Sequence, residues 1–597
     1  MYATAIIENL EESINDREKE FTSIPLQTRL LAEAFDQADV SEHNLPEKLD
    51  LLGLYKRFTE RKYDIYWEEK TKIPKCNVAA KVQREHDSRI VTEEHQRLAL
   101  QMMFPEEVVG IFRYISQSAL EPQELARYGI VHYLDNKPNF IHRTFAEYYV
   151  ADVLIDKLSK KTTPGQDLLD VLLKDILLKE KYEVVRSFLD GFLEKRKLSQ
   201  GILEQSGKRI CELWQDDADG NIGQNLLGSL GRTILHQAAQ GHTHTIRYLL
   251  DSLKAGQHLE TMRDLFLTKD EMRQTAWHLS AENGHLKTSE ELWDWAKGAK
   301  VNLKDDVVLA KDSDDHTAWH LAKRIKPPGV MRKLKKYAET ELSQQELKNL
   351  LLAKDKEGKT IWHLAAWRNY PHVFENLMEW AEKANLNQQI FKAVLLEKDD
   401  EGRTPWHSGT LNNHHDVYEW VIKVIENPQE QEELLKKLFL DKDYDGQTIW
   451  HLAARSFYPD VFKKLLDVAD KALSKEELWS LLLTKDMMGK TAWHLLAENG
   501  RANSLNTLWE WAKKEHIYEN ELKNNWLLSQ GSRGTAWHLA AQRGHINVLK
   551  KLWDLATEMN LNHNEDLLLV RDVSRRIARQ VAEEMGNTGI LKEIFDW

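Results

Sequence analysis

The sequence predicts a mainly α-helical solenoid, a stack of similar helical units, behind a smaller helical module. Three observations predict it. The pattern T-A-W-H-L, or a close variant, occurs eight times, starting at Thr233, Thr275, Thr317, Thr360, Thr404, Thr448, Thr491 and Thr535. Successive starts lie 42 to 44 residues apart, a period that marks a solenoid, propeller or array. Apolar residues after each copy recur at three- and four-residue spacing, the signature of amphipathic helices.

Each unit opens on a polar turn, such as Lys442-Asp443-Tyr444-Asp445-Gly446 or Lys354-Asp355-Lys356-Glu357-Gly358. Asp caps such a turn through its side chain, and Gly supplies the left-handed backbone it needs. The Thr then falls where a helix N-cap belongs. Ala-Trp-His-Leu-x-Ala reads as a short first helix, closed by Gly241, Gly284, Asn369, Gly500 or Gly544. A second helix follows, seen in Leu292, Trp295 and Ala296, in Leu377, Trp380 and Ala381, and in Leu508, Trp511 and Ala512.

This turn–helix–turn–helix plan with its Thr-x-x-His core resembles the ankyrin repeat, from about Gly231 to Trp597. The third position of the motif is Trp in seven copies (Leu235 in the first), and only Pro405 keeps the proline of the usual T-P-L-H. The unit also exceeds the usual period of about 33 residues by about ten. Capping boxes at Ser343–Glu346 and Ser474–Glu477, and the pair Asn427-Pro428, place a short third helix in the extra length, packed outside the second. The expected fold is therefore an ankyrin-type α-solenoid, with a β-turn, two helices and an extra short helix per unit. After Arg571 the pattern frays, with Arg576 read in place of Thr, Ala578 of Trp and Arg579 of His, as a solvent-facing terminal unit requires.

The motif histidines His236, His278, His320, His363, His407, His451, His494 and His538 invite a metal reading. Equivalent residues of stacked helix pairs lie about 10 Å apart, whereas metal–nitrogen bonds are about 2 Å, so no metal is expected. The expected role is a hydrogen bond to the Thr hydroxyl or to a neighbouring turn. The local pairs His242/His244 and His414/His415 lack further ligands nearby. Trp277, Trp319, Trp362, Trp406, Trp450, Trp493 and Trp537 read as core filler whose N–H can reach a partner. Trp293, Trp367 and Trp509 fall outside that register and are expected to pack helices, with a surface contact the alternative. Gly358-Lys359-Thr360 and Gly489-Lys490-Thr491 mimic the end of a phosphate-binding loop, but Ala353 and Thr484 stand where its first Gly belongs. Both triplets are turn-and-cap residues.

Residues 1 to about 229 do not repeat. A helix is predicted over 92–104 and another over Gln123–Val131. Short strands Val131–Leu134 and Asn139–His142 are expected around the turn Asp135–Pro138, then a helix from Thr144 to about Leu158 and helical segments over 166–215. Ile24–Glu33 and Phe140–Ala151 resemble the helical and winged-helix portions of NACHT-type signalling NTPases, over residues 12–160. That resemblance implies a Pro near the adenine and a His near the phosphates, at Pro25 and His142. The phosphate loop and acidic strand of that family would lie upstream of Met1. The expected domains are a NACHT-associated-like helical segment at 1–75, a winged-helix-like subdomain at 76–160, a helical connector at 161–229 and the repeats at 230–597, eight full units and a degenerate cap.

Composition narrows the function. Charged residues make up 30% and hydrophobic ones 42%, and 95 acidic against 82 basic side chains give a net charge of -13. That balance disfavours nucleic acid, and Arg113, Arg127, Lys137 and Arg143 are too sparse to make the front module a DNA reader. Cys76 and Cys211 suit a reducing, cytoplasmic setting. Met1–Asp16 has no apolar stretch fit for a signal peptide, and no run of apolar residues reaches membrane-span length. No nucleophile–base pair or ligand set points to an enzyme or a cofactor. The expected work is binding other proteins on the concave face that the resemblance implies. Candidate positions are Glu271, Met272, Arg273, Asp314, Asp315, Tyr444, Met487, Met488 and Arg533 at turn tips, with Arg324, Arg368, Arg455 and Arg543 at helix ends. The alternative is part of a nucleotide-regulated NACHT-type NTPase.

Overall fold

A computed structural model describes residues 50–71, 78–112, 122–134, 137–160, 165–215, 224–322, 329–368, 377, 394–412, 428–456, 459–563, 567–587 and 589. They belong to two compact units, Met1–Val307 and Val308–Trp597. No helix among the described residues is long and apolar enough to cross a membrane.

In the first unit, helices Leu51–Thr71, Val78–Met103, Arg143–Ser159 and Glu183–Lys195 enclose an aromatic core. The Tyr55 ring lies 4.9 Å from both Phe145 and Phe188. Tyr63 joins Tyr149 through their hydroxyls at 2.9 Å, and its hydroxyl is 3.2 Å from His95 Nδ1. The hairpin forms, but its second strand is Lys137–Phe140, two residues earlier than predicted, with Val131 opposite Phe140. The sequence reading placed Pro138 in the turn, and a Pro cannot donate to a ladder. In a two-stranded sheet each strand has a free edge, which tolerates it.

The connector is helical at Gln166–Asp170, π-helical at Val171–Ile176, then α-helical at Glu183–Lys195 and Gln200–Gln215. It packs directly on the first repeat. Arg186, 1% exposed, donates to Ile176 O, Lys179 O and Gln237 Oε1 at 3.0, 2.7 and 3.2 Å. Gly207 touches the backbone at Ser252 so closely that a Cβ would fall 2.0 Å from its carbonyl oxygen. Two repeats follow, with first helices Ile234–Ala238 and Ala276–Glu282 and second helices Thr243–Ala255 and Leu286–Gly298. The third helix Leu259–Leu267 accepts the Trp295 N–H at Met262 O, 2.9 Å.

The second unit continues the plan. First helices Ile361–Arg368, Pro405–Leu411, Ile449–Arg455, Ala492–Glu498 and Ala536–Arg543 stack in sequence order, and Ala578–Glu584 closes the row. The predicted third helices are present at Gln344–Leu351, Pro428–Leu440 and Lys475–Leu482, the first and last entered by their Ser–Glu capping boxes. Asn427 lies outside the described residues. The third element is π-helical at Lys523–Leu527. There Trp526 stacks on Trp493 with centroids 4.5 Å apart. The terminal unit is in register one residue later than read. Asp572 Oδ1 accepts from Arg576 N at 2.8 Å and Arg575 takes the positive φ of 64°, so Ile577, not Arg576, holds the Thr position. Arg579 then stands for Trp, and Gln580 for His, its Oε1 accepting from Ile577 N at 3.0 Å.

Candidate binding surface at the turn tips

Six consecutive turns, those before Thr275 to Thr491, are each built on one Asp. Oδ1 of Asp270, Asp312, Asp355, Asp399, Asp443 and Asp486 each accepts two backbone N–H groups, two and four residues on, at 2.7–3.1 Å. The residue three after the Asp is left-handed. Gly358, Gly402, Gly446 and Gly489 hold it at φ 64–74°, whereas Arg273 and Asp315 hold it at 55° and 60° without that freedom. Two residues remain at the tip, and their backbone joins neighbouring turns. Lys356 N donates to Asp314 O, Asp400 N to Glu357 O, Tyr444 N to Glu401 O, Met487 N to Asp445 O and Ser532 N to Met488 O, all at 2.9–3.1 Å.

Six of the motif histidines lock their turn to the next, whereas His407 buries its Nε2 without a hydrogen-bond partner. In all eight units Thr Oγ1 lies 2.7–2.9 Å from His Nδ1. In seven of them the Thr backbone N–H also donates to Nδ1, at 3.1–3.3 Å. The His therefore does the work of the Glu in a capping box. Nε2 of His236, His320, His363, His451, His494 and His538 faces a carbonyl oxygen near the next turn at 2.8–3.3 Å. A carbonyl only accepts, so Nε2 carries the proton and Nδ1 is the acceptor. Burial holds these imidazoles neutral, with His236, His363, His407 and His494 lowered to about 4. The sequence offered the hydroxyl or the turn as partner; the ring reaches both.

The repeated Trp rings are at most 4% exposed. Trp362 Nε1 donates to Leu351 O at 3.1 Å, but Trp450 and Trp493 bury their N–H with no hydrogen-bond partner, against expectation. Of the second set, Trp293 and Trp509 are buried and Trp367 is 43% exposed. His244 sits 3.7 Å from Glu194, and no group of three or more His, Cys, Asp or Glu among the described residues could hold a metal. His414 and His415 lie outside the described residues.

Of the candidate positions, Glu271, Met272, Arg273, Asp314, Tyr444, Arg455, Met487, Met488, Arg533 and Arg543 are exposed, and Asp315 is half-buried. Arg324 and the side chain of Arg368 lie outside the described residues. Arg455 donates to Gln447 Oε1 at 3.1 Å, and Arg543 lies 3.7 Å from Glu498. The Arg455–Gln447 pair belongs to a column the sequence reading missed, between the residue before the Thr and the one seven after it. Lys490 meets Glu498 at 2.5 Å, and Lys359 stands 6.0 Å over the Trp367 ring. A second missed device is a lysine ladder. Lys354, Lys398, Lys442 and Lys485 each donate to a carbonyl 43 to 45 residues ahead. Between two turns opens a cavity of about 430 Å³ lined by Asp314, His316, Asp355, Glu357, Lys359 and Trp367 among others. His316 Nε2 bridges there to Asp355 Oδ2 at 3.2 Å.

A family model described as ankyrin repeats, in three copies, matches residues 203–305. These residues are ankyrin repeats. The ankyrin match begins inside the connector helix Gln200–Gln215, ahead of 230, where the sequence reading starts the stack. The helix precedes Thr243–Ala255 by one period, 43 residues from Gln200 to Thr243, and packs against it. The signal for it was the period itself, since the Thr-x-x-His motif is missing there. No curated protein matches the chain.

Pro25 lies outside the described residues. His142 is the N-cap of Arg143–Ser159, its Nδ1 accepting from Thr144 N at 3.3 Å.

Proposed function

We propose that the protein binds other proteins through the turn tips and first-helix ends of its ankyrin-type stack, and that it performs no chemistry of its own. Ankyrin repeats generally serve as protein–protein interaction modules. One observation carries the reading here. The residues that recur in every unit are buried and bonded to one another, while the tip residues differ from unit to unit and expose large apolar groups. Met272, Tyr444, Met487 and Met488 are 49, 63, 75 and 48% exposed. Apolar side chains held out on rigid turns are a common form of contact surface. The reading places this work in the cytosol, where Cys76 and Cys211 stay reduced. The nucleotide-regulated alternative has no observation at Pro25 or His142 in its favour.

The test is affinity capture with the whole chain and with a variant carrying Tyr444→Ser, Met487→Ser and Met488→Ser. Proteins retained by the first and lost by the second support tip binding. Identical retention by both, or catalytic turnover of a captured small molecule, overturns it.

A further inference from the structure

The tips form an ordered sequence of charges along the second unit. The second tip residue is acidic in four consecutive turns, Asp314, Glu357, Glu401 and Asp445, and Asp400 adds a fifth carboxylate at the neighbouring tip position. All five are exposed. Lys359 and Arg403 pair with Glu357 and Glu401 from within their own turns, yet those carboxylate side chains remain 70% and 57% exposed. The next turn in the row is apolar, Met487 and Met488, and Tyr444 lies just before it. A Cβ on Gly402 would meet the Tyr444 ring at 2.7 Å and one on Gly446 would meet Met487 Cγ at 3.3 Å. These two side chains thus lie over the preceding turns and form a continuous strip.

The step along the row is set by the backbone bonds between tips and by stacked helices, about 10 Å per unit. A chain in the polyproline II conformation rises about 3.1 Å per residue with three residues per turn, so every third side chain returns to the same face at about the spacing of one unit. Resting on the binding role proposed above, we infer that this row receives an extended polypeptide segment with basic side chains at about every third residue, followed about three residues later by an apolar side chain seated on Tyr444, Met487 and Met488. The cavity beside Trp367 is lined by Lys356 and Lys359 as well as by Asp314, Asp355 and Glu357, and Lys359 already stands over the indole, so the first basic side chain meets the exposed Asp314 carboxylate at the rim. Met side chains adapt to different apolar anchors, so the basic spacing sets specificity and the strip supplies grip.

Selection of a displayed random sixteen-residue peptide library on the whole chain tests this. The expected peptides carry Lys or Arg at three-residue intervals ahead of Leu, Met, Phe or Trp. A synthetic copy of the selected peptide weakens at least tenfold with added salt and with Asp400→Lys/Glu401→Lys/Asp445→Lys. It weakens at least tenfold with Tyr444→Ser/Met487→Ser/Met488→Ser, while both variants keep the parent melting temperature within a few degrees. Peptides without the basic spacing, or bound by both variants as tightly as by the parent, overturn the inference and leave protein binding on another face. No enrichment over bare support overturns both.

Discussion

The front module and the repeats are stabilised in opposite ways. Around residues 50–215 every contact is made once, as in the Tyr55–Phe145–Phe188 cluster or the Arg186 guanidinium with three acceptors. In the repeats the same few contacts are made again and again, Thr with His, His with the next turn, Asp with its own turn. Loss of one unique contact weakens a whole cooperative core. Loss of one repeated contact weakens a unit and its two interfaces, since each unit touches only its neighbours.

The largest test of that contrast removes an indole. Trp493→Ala empties a site that is fully buried and stacked on Trp526, at a cost of about 3–5 kcal/mol. Hydrogen exchange should rise in the Thr491 unit and its neighbours and stay near parent levels in the other repeats. Tyr149→Ala, in the front core, should instead raise exchange throughout helices Leu51–Thr71, Val78–Met103 and Arg143–Ser159. Uniform loosening of the chain by Trp493→Ala would refute the local picture.

Next in size is the imidazole lock. His363→Leu leaves the Thr360 N–H and the Arg403 carbonyl without their ring partner, which costs about 1–3 kcal/mol. The lock also sets a pH dependence. His236, His363, His407 and His494 titrate at about 4 when folded against an ordinary 6.5, because burial disfavours the cation. Between those values the unfolded chain binds protons that the folded chain refuses. Stability is thus complete above pH 6.5 and falls as pH drops toward 4, by about 1.4 kcal/mol per pH unit for each such ring. Asp190, at the connector, carries the opposite sign. Burial raises it to about 7, so its contribution is lost as pH rises toward 7. Urea midpoints at pH 5 and 8 should show Asp190→Asn gaining on the parent more at pH 8 than at pH 5, since the loss begins above the ordinary 3.8 and is complete near 7.

How much of this was legible follows from the same contrast. The Thr, His and Trp roles could be read because eight copies average out local accident and leave the structural requirement. The tip acids, the lysine ladder and the column joining Lys490 to Glu498 also recur, but with changing residue types. They were hidden because a Lys or Glu seen singly reads as solvated surface. The hairpin register and the terminal unit each slipped for want of a second copy to align. At Ile577 the Thr had gone, and the turn is fixed by Asp572, which alone could not show that Arg576 precedes the cap. In the front module nothing repeats, so Tyr63 beside His95, or Arg186 reaching Gln237, left no periodic trace.

A smaller effect separates the turns themselves. Arg273 and Asp315 hold the left-handed conformation that Gly358, Gly402, Gly446 and Gly489 adopt freely. Arg273→Gly and Asp315→Gly should each stabilise by about 0.5–1 kcal/mol, the relief of a strained backbone less the entropy of a new glycine. Gly402→Ala should destabilise by a similar or larger amount, since its Cβ would also press on the Tyr444 backbone N at 2.8 Å. Equal melting temperatures for all three would mean the turn is set by Asp alone.

The smallest effect on stability belongs to the tip side chains. Met487 and Met488 are exposed, and the bonds their turn makes to its neighbours run through backbone atoms, Met487 N to Asp445 O and Ser532 N to Met488 O. Serine at both positions leaves those bonds in place and should shift stability by no more than about 0.5 kcal/mol. A chain whose His and Trp variants melt early while its tip variants do not has its scaffold and its recognition surface in separate residues, free to change independently. A clear drop in the melting temperature of Met487→Ser/Met488→Ser would instead make the strip over Gly446 part of the stack's own packing.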